Sequence, residues 1–227
     1  MAGYTLAERP STWVRTRSHL LKAALHYGIP DDVLVVRGPT QHRAVALTFD
    51  DGPDEMTHEF LACLAELGVR ATFFVIGQHA SEHPDVMLEY VRGGHEVASH
   101  GYTHRAFPKL SSGELLDELS HTQALLPPSR SPRPLVRPPQ GAKTPRSIAQ
   151  VAAAGYTTVL WSLDSDDCRT DRAEEVVSRV SPARVSPGEI VLLHEFQKWT
   201  LQALPGLVKQ LRDDGYSFLT VSELLGR

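Results

Sequence analysis

The chain is poor in the features that mark disulfide-stabilised, nucleic-acid-binding and membrane-spanning proteins. It has only two cysteines in 227 residues, which excludes a disulfide framework and a cysteine-rich zinc site. The formal net charge is −4, so there is no basic field to attract nucleic acid or an anionic membrane. The longest uncharged run, residues 147–163, contains Gln150 and Gly155 and is too short and too polar to span a bilayer.

The first ten residues also lack the basic start, apolar run and small-residue cleavage site of a signal peptide. We therefore expect a cytoplasmic protein if Met1 is the natural start, and a secreted one if the natural chain begins elsewhere. The composition, 41% hydrophobic and 22% charged, is that of a globular protein with a real core. Its length suits one sizeable α/β domain or two small ones.

Hydrophobic periodicity divides the chain into a short extension and a long alternating region. Residues 12–27 are predicted to form an amphipathic helix within a helical extension, residues 1–40. The region 41–227 then alternates between strands and helices. Its predicted strands are 45–49, 71–76, 95–99, 135–136, 157–163 and 189–193. Its predicted helices are 57–67, 84–91, 112–126, 144–154, 171–180 and 200–211, and segments 218–221 and 222–225 close the pattern. Repeated β-α units predict a parallel sheet covered by helices, and their number favours a small closed barrel over an open sheet.

Two adjacent carboxylates, Asp50 and Asp51, follow the first strand of this region and precede a Gly52-Pro53 turn. Like charges beside a buried strand are unfavourable unless a cation or a proton compensates them, which indicates a metal or acid–base site. The alternative is an ordinary surface turn, because Asp, Gly and Pro all favour turns. Taken alone, the segment favours the turn.

Other polar residues follow other strands, and together they change this interpretation. Besides Asp50 and Asp51, the groups at strand ends are His100 with His104, Arg137, Asp164 to Asp167, and His194. In a β/α barrel the carboxyl ends of the strands meet at one face, where catalytic groups collect. So many coincidences make a simple surface turn a poor explanation of the Asp pair. His100 and His104, four residues apart, can both coordinate one metal ion. Histidine nitrogen and carboxylate oxygen are common ligands of zinc.

The order and spacing of five motifs then carry a resemblance to a known family. They are Thr48-Phe-Asp-Asp-Gly52, His100-x-x-x-His104, Arg137-Pro-Pro-x-Gly141, Asp164-Ser-Asp-Asp167 and Leu192-Leu-His194. From about residue 44 to residue 225 the chain resembles the polysaccharide deacetylase family, also called the NodB-homology or carbohydrate esterase family 4 domain. The resemblance implies a distorted (β/α)7-type barrel and metal-assisted removal of an acetyl group from an amide nitrogen.

The resemblance also implies a set of metal ligands, namely Asp51, His100 and His104. It implies one divalent ion, zinc before cobalt or nickel, which activates a water and polarises the acetyl carbonyl. Asp50, beside the ion, becomes the general base, and His194 becomes the general acid that protonates the leaving nitrogen.

Further residues take supporting roles in the same scheme. Arg137 is expected to orient Asp50, and Asp167 is expected to hold Arg137. The backbone N–H of Gln140 is expected to stabilise the oxyanion, and Leu192 to line the pocket for the acetyl methyl group.

Three positions depart from the family pattern. Gly101 stands where Ser or Thr is usual, which we expect to change local backbone support but not metal binding. Gln140 replaces a usual aromatic residue, and Cys168 replaces a usual Trp beside the acetyl pocket. Because sugars commonly stack on aromatic rings, these losses predict a substrate different from a chitin- or peptidoglycan-like chain. Cys168 itself is expected to be a small buried filler rather than a redox residue.

Most remaining histidines are expected to be surface residues without partners. They are His19, His26, His42, His58, His79, His83 and His121. His95 is expected to make a structural hydrogen bond. Trp13, Trp161 and Trp199 are expected to be packing residues, although Trp199 follows the His194 segment closely enough to line the cleft.

The leading functional hypothesis is therefore a de-N-acetylase that acts on an N-acetylated amino sugar. A cytosolic amide hydrolase acting on a small non-sugar molecule is the alternative within enzymes. A carbohydrate-binding relic without activity is the alternative outside them, and the intact set of Asp50, Arg137, His194 and the metal ligands argues against it. No nucleic-acid or membrane partner is expected, and the oligomeric state is left open.

Overall fold

The structure, a computed structural model, describes residues 29–129 and 131–227 and shows a curled sheet of parallel strands. The predicted helix at residues 12–27 lies outside these residues. The strands are β1 (Leu34–Val35), β2 (Ala44–Asp50), β3 (Thr72–Val75), β4 (Glu96–Ser99), β5 (Leu135–Val136), β6 (Thr157–Val159), β7 (Leu163–Asp164), β8 (Ile190–His194) and β9 (Ser217–Phe218).

Helices follow most strands and cover the outer face of the sheet. They are α1 (Thr57–Leu67), α2 (Gly77–Glu82), α3 (Pro84–Arg92), α4 (Ser112–Gln123), α5 (Pro145–Ala153), α6 (Ala173–Arg179), α7 (Lys198–Asp213) and α8 (Val221–Leu224). Short 3₁₀ turns lie at Phe107–Lys109, Pro139–Gly141 and Asp167–Arg169. Within the described residues, none of the helices combines the length and the hydropathy that a membrane crossing requires.

The strand order around the sheet is β1-β6-β5-β4-β3-β2-β8-β7, with β9 paired to β2. All of these pairs are parallel, which confirms the predicted distorted (β/α)7-type barrel. In the part of the chain that the structure describes, no strand pairing joins β1 to β7, so the barrel has an open seam. Residues 160–162 cross this seam: Leu160 N donates to Val35 O at 2.8 Å and Ser162 N to Ile190 O at 3.0 Å. The predicted strand 157–163 is therefore two strands, β6 and β7.

The alternation of β2 explains why two of its polar side chains lie inside the barrel. Val45, Leu47 and Phe49 belong to the large outer core, together with residues of α1 and α7. Ala44 and Ala46 belong instead to a smaller inner core. Since successive side chains point to opposite faces, Thr48 and Asp50 continue the inner row toward the carboxyl end of the strand. Both are buried, with Asp50 only 3% exposed.

The structure adds two elements that the sequence patterns did not predict. Helix α2 follows β3 in a segment to which the sequence patterns assigned no element. Strand β1 pairs with β6, so the sheet includes Leu34 and Val35, which lie before residue 41, the predicted start of the catalytic domain. Strand β1 lies in the short apolar run 33–36, which was included in the predicted helical extension and not identified as a strand. The sheet thus extends into the predicted extension, and the division of the chain into two units otherwise stays a prediction.

Candidate active site

The polar residues predicted at strand ends gather at one edge of the sheet. Asp50 ends β2 and lies in register with Phe74 of β3 and His194 of β8. His100 follows β4 directly, and Arg137 follows β5, which pairs with β4. Neighbouring parallel strands thus bring these side chains to one carboxyl edge, where barrels assemble their functional sites.

Asp51, His100 and His104 form a compact set of metal-ligand atoms. The Oδ1 atom of Asp51 lies 3.4 Å from His100 Nε2 and 3.2 Å from His104 Nε2. This Oδ1 is buried, and it has no hydrogen-bond partner. A buried carboxylate oxygen without a partner, facing two imidazole nitrogens, fits a divalent ion, and the donor set of two N and one O suits zinc.

The surrounding backbone presents these atoms to one another. His100 Nδ1 donates to the carbonyl oxygen of Arg137 at 2.9 Å, which leaves its Nε2 lone pair for an ion. Asp51 and His104 both adopt left-handed backbone conformations, with φ of 77° and 56°. Non-glycine residues seldom do so, and such strain collects at functional sites.

The electrostatics of the Asp51 side chain also suit a ligand. Burial alone would raise its pKa, but the imidazoles of His100 and His104 beside it lower the pKa well below the ordinary value. Asp51 is therefore ionised over the whole neutral range, as a metal-coordinating carboxylate must be.

A buried carboxylate of α4 organises the segment between the two histidines. Glu118 accepts hydrogen bonds from the backbone N–H groups of Tyr102 and Thr103 and from the Thr103 hydroxyl. Gly101 has φ of 79°, and a Cβ added there would lie 3.2 Å from Glu118 Oε2. The departure from the usual Ser or Thr at position 101 thus fits a left-handed backbone position that glycine adopts most easily.

Asp50 is held by a fully buried arginine, as predicted. Arg137 Nη1 donates to Asp50 Oδ1 at 2.6 Å and to Thr48 Oγ1 at 2.8 Å. Its guanidinium also lies 4.0 Å from the ring centre of Phe74. Burial lowers the pKa of Arg137, and the Asp50 charge opposes that shift. The second carboxylate oxygen, Asp50 Oδ2, lies 3.8 Å from His100 Nε2 and so borders the metal-ligand set.

The predicted partnership of Asp167 with Arg137 is wrong, because Asp167 holds His194 instead. Its Oδ1 accepts from His194 Nδ1 at 2.7 Å, and its Oδ2 accepts from His194 N and from Thr200 Oγ1, each at 2.7 Å. The 3₁₀ turn that carries Asp167 follows β7, which pairs with β8, whereas Arg137 follows β5 on the far side of the open seam.

This contact makes His194 a strongly basic imidazole. Burial opposes the charged form, yet the hydrogen bond to Asp167 and the neighbouring Cys168 raise the pKa of His194 to about 11. A histidine that keeps its proton at neutral pH is suited to donate it to a leaving group.

Three further predicted residues, Leu192, Gln140 and Cys168, have mixed outcomes. Leu192 is 5% exposed and lies two residues before His194, so the two side chains share one face of β8. Gln140 is exposed and has φ of 59° within its 3₁₀ turn. Cys168 was expected to be a buried filler, but it is exposed, and its Sγ lies 3.2 Å from His194 Nδ1. That expectation is wrong because the 3₁₀ turn starting at Asp167 buries the carboxylate and leaves the next side chain at the surface.

Sequence reasoning missed a buried carboxylate next to His194. Glu195 is fully buried, and both of its carboxylate oxygens lie within hydrogen-bond distance of the Tyr90 hydroxyl, at 2.7 and 3.0 Å. Burial raises the pKa of Glu195 to about 8. A Cβ added to Gly52 would lie 1.9 Å from Glu195 Oε2, so Glu195 packs directly under the turn that follows Asp51. No local pattern pairs Tyr90 with Glu195, because 105 positions separate them.

The outcomes for the other histidines are mixed. His79 was expected to be a surface residue without a partner, but its Nδ1 donates to the Asp51 carbonyl at 3.0 Å, so that expectation is wrong. His58 also has a partner, Glu89, at 2.9 Å. His95 accepts from Ala71 N at 3.2 Å, which confirms its structural hydrogen bond. Trp199 donates from Nε1 to Asp167 O at 2.6 Å and thus supports the turn that carries Cys168.

Comparison with known proteins agrees with this architecture. The polysaccharide deacetylase profile matches residues 37–159. A peptidoglycan-N-acetylglucosamine deacetylase of Bacillus cereus is 33% identical over 193 residues, which cover 82% of this chain and 90% of that protein. The peptidoglycan-N-acetylmuramic acid deacetylase PdaC of Bacillus subtilis is 32% identical over 184 residues, covering 80% of this chain and 38% of PdaC. The chain belongs to the polysaccharide deacetylase family.

Two solved structures illustrate the range of this fold. The Bc1960 peptidoglycan N-acetylglucosamine deacetylase, in complex with an aryl hydroxamate, has a TM-score of 0.80 at 25% identity and covers 96% of this chain and 98% of that one. BA3943 of Bacillus anthracis is a carbohydrate esterase family 4 pseudoenzyme with a TM-score of 0.78 at 27% identity. The match covers 86% of this chain and 70% of the BA3943 chain. Since a protein named as a deacetylase and a pseudoenzyme share the fold, activity has to be argued from the residues of this site.

Proposed function

We propose that this protein is a divalent-metal-dependent hydrolase that removes acetyl groups from N-acetylated amino sugars. The observation that carries the proposal is that three groups of residues lie together at the carboxyl edge of the sheet. They are the Asp51–His100–His104 set, the Asp50–Arg137 ion pair and the His194–Asp167 pair.

Each group suits one task in amide hydrolysis. When bound at Asp51, His100 and His104, a divalent ion supplies Lewis-acid polarisation and lowers the pKa of water. Asp50, oriented through Oδ1 by Arg137, accepts the proton of the attacking water. His194, kept protonated by Asp167, donates a proton from Nε2 to the leaving nitrogen. Leu192 and the backbone N–H of Gln140 are proposed to border the acetyl methyl group and the oxyanion.

The names of the relatives support an amino-sugar substrate within a glycan. The Bacillus cereus relative is named for peptidoglycan N-acetylglucosamine and PdaC for N-acetylmuramic acid. Because this chain spans 38% of PdaC, the substrate comes from that relative only as a proposal. We propose N-acetylated amino sugars as the substrate class, and the cytoplasmic location remains a prediction.

A second candidate is an amide hydrolase for small non-sugar molecules. The observation that favours it is the absence of aromatic rings at Gln140 and at the exposed Cys168, which leaves fewer surfaces on which a sugar can stack. A non-catalytic relic is disfavoured by two features that cost folding free energy, the buried Asp50–Arg137 pair and the Asp51 oxygen without a hydrogen-bond partner. A protein without activity would have no reason to preserve them.

The test is acetate release from N-acetylated mono-, oligo- and polysaccharides and from non-sugar N-acetyl amides. Wild type is compared with Asp50→Asn and with the exposed control Asp85→Asn. We expect Asp50→Asn to keep its bound metal and lose roughly 10²- to 10⁴-fold in turnover, and Asp85→Asn to match wild type. Normal turnover in Asp50→Asn removes Asp50 as the base, and release from non-sugar amides alone favours the second candidate.

A further inference from the structure

A second cluster of metal-ligand atoms lies beside the proposed active site. It consists of Asp167, Cys168 and His194, and one ligand atom of each lies within 4.8 Å of the others. Cys168 Sγ is 3.2 Å from His194 Nδ1, and the same Nδ1 is 2.7 Å from Asp167 Oδ1. Thiolate sulfur, imidazole nitrogen and carboxylate oxygen are the three donors that zinc prefers.

We propose that Cys168, His194 and Asp167 form a second site for a thiophilic divalent cation such as Zn²⁺, and that its occupation inhibits the enzyme. The ligand atoms are Cys168 Sγ, His194 Nδ1 and Asp167 Oδ1, and exposure of Cys168 leaves a further position to solvent. A thiolate, a carboxylate and a neutral imidazole balance the charge of a divalent ion. Binding releases the thiol proton and the proton on Nδ1.

The distances are close to those of a zinc tetrahedron. Zinc–ligand bonds of about 2.0 Å to N and O and about 2.3 Å to S imply N···O near 3.3 Å and N···S near 3.5 Å. The present separations of 2.7 and 3.2 Å therefore need to open by a few tenths of an ångström. Asp167 is fixed through Oδ2 by Thr200 and by the backbone of His194, which leaves Oδ1 for the ion. The exposed Cys168 has room for the N···S adjustment, whereas the N···O opening requires the His194 ring to move away from Asp167.

Inhibition of the enzyme follows because the ion would bind Nδ1 of His194, the proposed general acid. This step rests on the proposed function. With an ion at Nδ1 the His194 ring is neutral, and donation of its remaining Nε2 proton would leave an imidazolate anion, so the ring is a far poorer acid for the leaving nitrogen than the imidazolium. Thiolate ligation also separates the two sites chemically, because the Asp51–His100–His104 set offers no sulfur. The other cysteine, Cys63, belongs to no such ligand group in the described residues.

The site itself is tested by Co²⁺ spectroscopy on the full chain, independently of activity. Titration beyond two equivalents is expected to give a thiolate-to-cobalt charge-transfer band in wild type and in the control Cys63→Ser. Cys168→Ser is expected to lose that band and to bind one Co²⁺ fewer. A wild type without the band, or a Cys168→Ser variant that keeps it, overturns the second site.

The inhibitory role is tested by acetate release at one equivalent of Zn²⁺ and at excess Zn²⁺, taken as a ratio within each variant. We expect excess Zn²⁺ to lower activity at least tenfold in wild type and Cys63→Ser, since general acid catalysis contributes roughly 10²-fold or more. In Cys168→Ser the ratio should return to near one. Equal inhibition in all three variants overturns the inhibitory role. No acetate release at one equivalent overturns the proposed function instead, while the cobalt band still decides the site.

Discussion

At the scale of single residues, the site is defined by buried charges and by what faces them. Asp51 Oδ1 is buried without a hydrogen-bond partner, a condition that ordinarily costs about 1–3 kcal/mol. The Nε2 atoms of His100 and His104 face this oxygen, and a divalent ion bound by all three atoms would offset the cost. Asp167 and Glu195 are likewise buried, but each has its own partner, His194 and Tyr90.

The Asp167–His194 pair predicts a change in the pH dependence of turnover. Asp167 favours the protonated imidazole, so replacing the carboxylate lowers the His194 pKa from about 11. In Asp167→Asn we expect the alkaline limb of the kcat profile to move to lower pH by about one unit or more. The matched control is Asp166→Asn, whose carboxylate pairs with Arg169 and Arg179 and should leave the limb in place. An unmoved limb in Asp167→Asn would mean that His194 is not the acid.

Glu195 predicts a change in the pH dependence of stability. Burial raises its pKa to about 8 from an ordinary value of 4.5, so the folded state favours the protonated carboxyl. Its contribution is fully present below pH 4.5 and is lost as the pH rises through about 8. Glu195→Gln, which retains an acceptor for Tyr90, should be less sensitive to pH over this interval. Parallel melting temperatures for both proteins between these pH values would contradict the assignment.

At the scale of elements, the two segments that carry the proposed metal ligands depend on carboxylates from other elements. Glu118 of α4 accepts from the backbone between His100 and His104, and Glu195 packs under the turn after Asp51. The segments are therefore shaped by tertiary contacts as well as by their own residues. Glycine at positions 52 and 101 keeps the backbone close to these carboxylates.

Gly52→Ala tests the support under the Asp51 turn. The added Cβ would lie 1.9 Å from Glu195 Oε2, and Glu195 is fully buried against Tyr90 and has little room to withdraw. We expect a loss of about 1–3 kcal/mol in the free energy of unfolding together with weaker metal binding. Gly113→Ala is the control, because its added Cβ meets no atom within 4 Å. Denaturant unfolding and metal titration of both variants test this prediction. Equal free energies of unfolding and equal metal affinities for the two variants would refute the steric argument.

At the scale of the whole molecule, the barrel is closed by contacts around a seam rather than by strand pairing. Strand β1 pairs with β6 on one side of the seam, and β7 pairs with β8 on the other. Nearby, Gly38 N donates to Gly188 O at 2.8 Å, and Arg37 pairs with Glu189. The residues around β1 thus connect the β6 side of the sheet to the turn before β8.

Truncation tests the contribution of β1. A chain that starts at residue 41 lacks Leu34 and Val35, which are 5% and 1% exposed. Burial of two such side chains is worth roughly 3 kcal/mol or more, so this chain should unfold at clearly lower denaturant concentration than one that starts at residue 29. Equal midpoints would show that β1 is dispensable and that residue 41 is an adequate start of the domain.

Much of the fold followed from patterns within single segments. The predicted bounds of α1 and β5 agree with the structure, because a helical apolar stripe and a short apolar run bounded by prolines are local signals. The polar residues at strand ends could also be predicted, because each of them follows an apolar run directly in the sequence. Strand β1, helix α2 and the division of 157–163 into two strands were not, since they depend on pairing with distant segments or on very short runs.

Local order in the chain was enough to place Asp50, Asp51, His100, His104, Arg137 and His194 at one edge of a parallel barrel. Tertiary structure alone decided the partners of these residues. Asp167 holds His194 and not Arg137, Cys168 is exposed beside His194, and Glu195 meets Tyr90. The physical reason is that hydrogen bonds and burial join strand ends and helices that are far apart in the chain. The order of strands around an incompletely closed sheet determines which of those ends become neighbours.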